Sequence, residues 1–256
     1  MTRPPSAPSI EMTDVSCRFG AVTALEEVSL SFAPGERIAL AGPSGGGKST
    51  LLATITGALT PSSGRVLVDG SDLARETAAG LRRHRQRCGI VPQGAGLVPA
   101  LSVHHNVLLG LLPRWSTVRV IAAAIAPYAF ARRRVSSILE EVGLGSKASQ
   151  RARTLSGGER QRVAVARGLI GNPSLICADE PTASLDPHRA EQVLALMFDP
   201  AAPRSIMVST HWLSRVVTRV DRVVGLRDGR VALDTPACDL DDHDLRALYA
   251  GSDELR

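Results

Sequence analysis

Gly42-Pro43-Ser44-Gly45-Gly46-Gly47-Lys48-Ser49 follows the apolar run Arg37–Ala41 and precedes Leu51, Leu52 and Ile55. The apolar run predicts a strand, the spaced aliphatics a helix, and the glycines between them a loop that turns successive backbone N–H groups inward. Such a loop at a helix N-terminus cradles phosphate oxygens, because orphaned amides and the helix dipole both favour negative charge. Lys48 is placed to reach β and γ phosphates and Ser49 to ligate Mg2+. The whole run Gly42, Pro43, Ser44, Gly45, Gly46, Gly47, Lys48, Ser49 and Thr50 is therefore expected to hold a nucleotide. Kinases, GTPases and motor ATPases share this loop, so alone it leaves the reaction open.

Outward from the loop, apolar runs bounded by turn residues predict strands at Val28–Phe32, Gly64–Val68, Gly89–Val91, Leu175–Ala178, Ser205–Ser209 and Val220–Leu226. Helix-length segments separate several of them, which makes the fold class α/β. Residues 94–167 carry few strand signals and several helical ones, Ser136–Val142 and the run from Ser156 among them, and are expected to form a helical subdomain inserted in the core. Residues 1–256 read as a single domain, with 1–9 a loose tail rich in proline. Aromatics are only 3% of the chain against 44% apolar residues, so the core must be aliphatic, as the buried strands of a parallel sheet require.

The run Leu175–Ala178 ends in Asp179-Glu180, two carboxylates at the C-terminal edge of a strand, where open α/β sheets keep their ligands. Asp179 fits a Mg2+-holding role opposite Ser49. Glu180 points the other way and fits a general base that poises a water against the γ-phosphate. Further on, Leu155-Ser156-Gly157-Gly158-Glu159-Arg160-Gln161-Arg162 opens a helix, with Ser156 and Glu159 spaced as a capping box. Two glycines in that first turn leave amides unobstructed and make a second anion site. The chain thus holds two phosphate-binding helix starts and one lysine-bearing loop.

This last run resembles the signature of the ATP-binding cassette (ABC) family. Gln93 after Val91-Pro92 resembles the family's Q-loop, Ala183-Ser184-Leu185-Asp186 its D-loop, His211 its switch histidine, and Phe19 stands where the family keeps an adenine-stacking aromatic. The resemblance runs from Phe19 to about Val231 and implies a P-loop ATPase core with an antiparallel β subdomain and a helical subdomain. It further implies ATP and Mg2+ as ligands, with Ser49, Gln93 and Asp179 at the metal and Glu180, His211, Lys48 and Gln93 serving hydrolysis. Two cassettes, expected to be identical, would face head to tail so that Ser156, Gly157, Gly158 and Asp186 of one complete the site of the other. Integral membrane permease subunits and a substrate-binding protein are the implied partners, at the cytoplasmic face of the membrane. The stretch from Gly96 through Gly110 and the long segment before Val142 resemble phosphonate or phosphite importer ATPases. Lipoprotein-release or macrolide-efflux cassettes are the alternative, with soluble cassettes and other P-loop enzymes behind.

Bulk properties narrow the field. A formal charge of +5 is mild for 256 residues, and the run Arg82, Arg83, Arg85, Arg87 lacks the interleaved aromatics that stack bases, so it reads as a solvated face and no nucleic acid is expected. Cys17, Cys88, Cys177 and Cys238 are scattered, without metal-ligand spacing. No run is long enough to cross a membrane; Val120–Ala131, apolar but short and interrupted by Pro127, reads as core or as a surface for membrane subunits.

Overall fold

The computed structural model describes residues 6–116, 118 and 131–250. Strands β1 (Ile10–Phe19), β2 (Val22–Phe32), β4 (Ser63–Val68) and β5 (Ser71–Asp72) form an antiparallel sheet in the order β2-β1-β4-β5. Strands β3 (Arg37–Ala41), β6 (Cys88–Val91), β7 (Leu175–Asp179), β8 (Ser205–Ser209), β9 (Arg222–Arg227) and β10 (Arg230–Pro236) form the second, in the order β10-β9-β3-β8-β7-β6. Within it only β10 runs antiparallel to its neighbour. Every residue of β7 and β8 is buried, which is why these strands read as unbroken apolar runs.

Alternation along β3 sends Ile38 and Leu40 to one face and Ala39 and Ala41 to the other. The first face packs with Leu51 and Ile55 of helix α1 (Lys48–Ile55) and with Met12, Val15 and Leu25 of the antiparallel sheet. The second joins a cluster built largely from helices: α3 (Val103–Leu108), α4 (Arg132–Glu141), α5 (Gly157–Leu169) and α6 (Pro187–Met197). Between residues 94 and 169 the described residues contain helices and turns and no named strand. Helices α2 (Ala78–Arg87) and α7 (Asp242–Leu248) complete the set used below.

Two long strands escaped the sequence reading. In β10 exposed and half-buried positions alternate, so no apolar run marks it, and β1 interrupts its alternation at Asp14, whose φ of 50° accompanies a shift of register against both neighbours. The expected loose tail is tied where described: Ser9 N–H donates to Asp69 Oδ1 at 3.0 Å and Arg87 Nη2 to Ser6 O at 2.9 Å.

In the arginine run of α2, Arg82, Arg83 and Arg85 are exposed and Arg87 is half-buried. Arg82 donates to the carbonyls of Pro113 and Trp115, Arg85 to Gly57 O at 2.6 Å, and Arg87 pairs with Asp69 at 2.5 Å. Arg82 and Arg85 thus clamp backbone carbonyls while staying exposed, and Arg87 pairs with a carboxylate. Of the stretch Val120–Ala131 only Ala131 lies among the described residues. No described helix is long and apolar enough to cross a membrane.

Candidate functional site

Strand β3 ends at Ala41 and the chain turns through Gly42 (φ 127°) to Gly47 (φ 105°), the residue before α1. A Cβ on Gly42 would stand 2.0 Å from Leu226 O and one on Gly47 2.6 Å from Ala24 O, so both positions require glycine for space as well as conformation. Gly42 N–H donates to Tyr249 Oη at 3.0 Å, just beyond α7. Lys48 is 6% exposed, and its ammonium donates to Gly42 O at 2.6 Å and Pro43 O at 2.9 Å. A cation drawn inward over a glycine loop, beside the amides of a helix start, is built to receive an anion.

Opposite stands the end of β7. Asp179 is buried, and its two carboxylate oxygens accept from different hydroxyls: Oδ2 from Ser49 Oγ at 2.5 Å, Oδ1 from Ser209 Oγ. Ser49 and Asp179 thus bring two hard oxygen donors together from loop and strand end, which suits Mg2+, an ion that takes one or two protein oxygens and leaves the rest of its shell to phosphate and water. Glu180 has φ 50°, a left-handed conformation that is unfavourable for a side chain of its size. Three bonds hold it there: its N–H donates to Ser209 O (3.2 Å) and Ser209 Oγ (3.0 Å), and its carbonyl accepts from Gln161 Nε2 (3.3 Å). Backbone strain of this kind collects where a side chain must be aimed. Glu180 Oε1 lies 2.8 Å from His211 Nε2 and 3.5 Å from Gln93 Nε2.

Loop and strand end enclose a cavity of about 320 Å3 lined by Phe19, Ala24, Ser44 to Thr50, Gln93, Asp179 and Glu180. Phe19, at the end of β1, is 53% exposed at its rim. His211 joins through Glu180, while Gly42 and Pro43 hold the Lys48 ammonium.

Besides Gly42, Pro43 and His211, four expected site residues are not among those lining the cavity: Ser156, Gly157, Gly158 and Asp186. They form a second locality. Ser156 caps α5, its Oγ accepting from Glu159 N–H at 3.3 Å and its N–H donating to Glu159 Oε2 at 2.9 Å. Lys147 pairs with the other Glu159 oxygen at 2.5 Å, and these bonds, that from Lys147 foremost, hold the Glu159 carboxyl below its ordinary range. Beside them the Gly158 Cβ position lies 2.9 Å from Ser184 O. Asp186 caps α6 by accepting from Arg189 N–H at 3.0 Å, which lowers its pKa.

Sequence reasoning missed Ser209, Gln161 and Tyr249. Ser209 had a signal in lying two residues before His211, and Gln161 in standing within the glycine-rich helix start. Tyr249 had none, since its partner Gly42 is 207 residues away.

Residues 25–183 match the family model described as ABC transporter. The phosphonates import ATP-binding protein PhnC of Anaeromyxobacter dehalogenans is 44% identical over 248 residues, 97% of this chain, which spans about half (49%) of that protein's length. The phosphonates import ATP-binding protein PhnC of Frankia casuarinae is 43% identical over 251 residues, 97% of this chain and 98% of that protein. Among solved structures, a dimeric ATP-binding cassette in a post-hydrolysis state with ADP and Pi superposes with a TM-score of 0.78 at 29% identity, covering 89% of this chain and 98% of that one.

Proposed function

The chain belongs to the ABC transporter family, and from that premise we propose that it hydrolyses ATP in the cavity between Gly42–Thr50 and Asp179-Glu180 and energises transport through separate membrane subunits. The observation that carries this reading is the convergence of Lys48, Ser49, Gln93, Asp179 and Glu180 on one cavity, with His211 at 2.8 Å from Glu180.

Each residue then has a task its surroundings support. Phe19 offers a ring face to the adenine. The loop amides and Lys48 take the triphosphate, the ammonium exchanging the carbonyls of Gly42 and Pro43 for phosphate oxygens. Ser49 and Asp179 would hold Mg2+, with Gln93 beside them, and the ion would supply positive charge to offset that of the triphosphate. Glu180 accepts the proton of the attacking water as its oxygen bonds to the γ-phosphorus and the bond to ADP breaks. His211 orients the Glu180 carboxylate through their hydrogen bond and lies within reach of the departing phosphate.

The second locality finds its use in a second copy. Ser156 spends an acceptor lone pair on Glu159 N–H and keeps its hydroxyl proton to donate. With the amides of Gly157 and Gly158 it caps the γ-phosphate held by Lys48 of the facing cassette, and Asp186 borders the same junction.

Substitution of Glu180 by Gln tests the assignment. The variant keeps ATP binding, turns over at least about a hundredfold more slowly, a loss within the range assigned to general-base catalysis, and accumulates as an ATP-bound dimer on size exclusion. Undiminished hydrolysis removes Glu180 from its role.

The cargo proposed is a phosphonate or phosphite, supported by identities of 43% and 44% to relatives named for phosphonate import. A substrate-binding protein and a site of action at the cytoplasmic membrane face belong to that proposal. Loss of growth on a phosphonate as sole phosphorus source after disruption of the gene is the expected result; unaffected growth discards this cargo.

A further inference from the structure

Arg167 sits in the last turn of α5, half-buried, and makes no ion pair among the described residues. Its guanidinium instead donates from Nη1 to Gly96 O at 2.7 Å and from Nη2 to Ala95 O at 2.8 Å. Burial without a neighbouring anion holds its pKa below the ordinary arginine value. A charge placed at that disadvantage is expected to have a structural or functional return.

The two carbonyls belong to an unusual segment. Gly94 (φ 69°), Ala95 (φ 67°) and Gly96 (φ 52°) are three successive left-handed residues, and they follow Gln93 directly. Ala95 carries its side chain into that conformation and is 3% exposed. Within the segment, backbone bonding is limited to Ala95 N–H to Pro92 O at 3.3 Å and Gly96 N–H to Gly94 O at 2.9 Å. The grip on its carbonyls comes from α5.

The helix that supplies the grip cannot easily slide against the strand leading to Gln93. A Cβ on Gly89 of β6 would stand 2.4 Å from Gly168 O, and one on Gly168 would stand 3.0 Å from Val91 Cγ2 and 3.2 Å from Ile90 O. Backbone meets backbone, so α5 and β6 move as one piece. The same helix reaches the end of β7 through Gln161, which donates to Glu180 O.

We propose that Arg167 is a positioning residue for ATP hydrolysis: by holding Ala95 and Gly96 from the signature helix it sets the reach of Gln93 toward Glu180, and ties that reach to the helix whose first turn carries Ser156, Gly157 and Gly158. Displacement of that turn when it meets the partner's nucleotide is thereby transmitted, through one guanidinium, to the amide beside the base and metal ligands of its own site. The inference rests on the ATPase reading above.

The test uses the full chain with MgATP and a double-mutant cycle. Arg167→Met, which keeps the side-chain length without donors, lowers kcat about tenfold while KM for ATP stays within about twofold, because geometry rather than ground-state binding is lost. Gln93→Ala lowers kcat as well, and adding Arg167→Met to it costs less than about twofold more, since a residue acting through Gln93 has nothing left to position. Arg167→Lys recovers part of the loss. Without nucleotide, the amides of residues 94–97 exchange faster in Arg167→Met while those of the α5 core do not. Independent multiplicative losses in the cycle, or unchanged exchange at 94–97, overturn the proposal. Should Arg167→Met fail to fold, Arg167→Lys is read in the same cycle. An inactive wild-type chain overturns the ATPase reading instead, and the exchange measurement, which needs no turnover, still decides whether the grip exists.

Discussion

Several residues far from the cavity carry their chemistry in what they lack. His84 of α2 is 6% exposed; its Nε2 lies 2.8 Å from Ile55 O and so carries the proton, while Nδ1 has no partner among the described residues. Burial pushes the imidazole below its ordinary 6.5, against a smaller opposing pull from the Ile55 carbonyl. Between the folded value and 6.5 the unfolded chain binds a proton that the folded chain refuses, so stability is lost as pH falls through this window. The urea midpoint is expected to drop on acidification past 6.5 and to drop less in His84→Gln; equal slopes in both proteins remove His84 as the cause. Cys88, beside this histidine at 3.7 Å, is pushed by burial up to about 12 and stays a thiol at any physiological pH. By contrast Ser49, Asp179 and Ser209 are bonded into one chain of hydroxyl and carboxylate groups.

At the scale of elements, glycine separates two kinds of contact. Gly89 lies where β6 touches α5, and its Cβ position falls 2.4 Å from Gly168 O, whereas at Gly157 the nearest atom to a Cβ is Ser184 Cβ at 3.9 Å. Gly89→Ala is therefore expected to destabilise the fold by about 1–3 kcal/mol through overpacking. Gly157→Ala should leave the melting temperature nearly unchanged and impair ATP-dependent pairing. Comparable melting of the two variants contradicts this division. The same contrast explains what the sequence made legible. The strands β3, β7 and β8 are buried on both faces and announce themselves as apolar runs, and the loop Gly42–Thr50 and the α5 cap carry their geometry in residue types. Strand β10, which alternates exposed with half-buried positions, and β1, broken at Asp14, do not. Tyr249 and Arg167 were illegible because their partners are ones that the fold, and not the local sequence, brings near. The arginines of α2 read as a solvated face and are largely exposed, but their acceptors, carbonyls at Gly57, Pro113 and Trp115, were not legible for the same reason.

The whole molecule keeps the Lys48 cavity and the Ser156 cap apart, and the proposed function makes them two unlike halves of a site completed by a second copy. Ser156→Arg fills the exposed turn with a long cation, so it is expected to abolish ATP-dependent dimerisation while ATP affinity of the monomer stays within about twofold, the two steps being separable; equal loss of both measured by sedimentation and nucleotide titration argues against a composite site. The sheet order β10-β9-β3-β8-β7-β6 has a further consequence. Strand β3, which delivers the phosphate loop, pairs among the described residues with β8 and β9, residues 205–209 and 222–227, and Gly42 is bonded to Tyr249. A ribosome emits the loop sequence well before these supports. The nascent chain thus carries the glycines and the lysine of the loop without a formed site until β8, β9 and Tyr249 have followed.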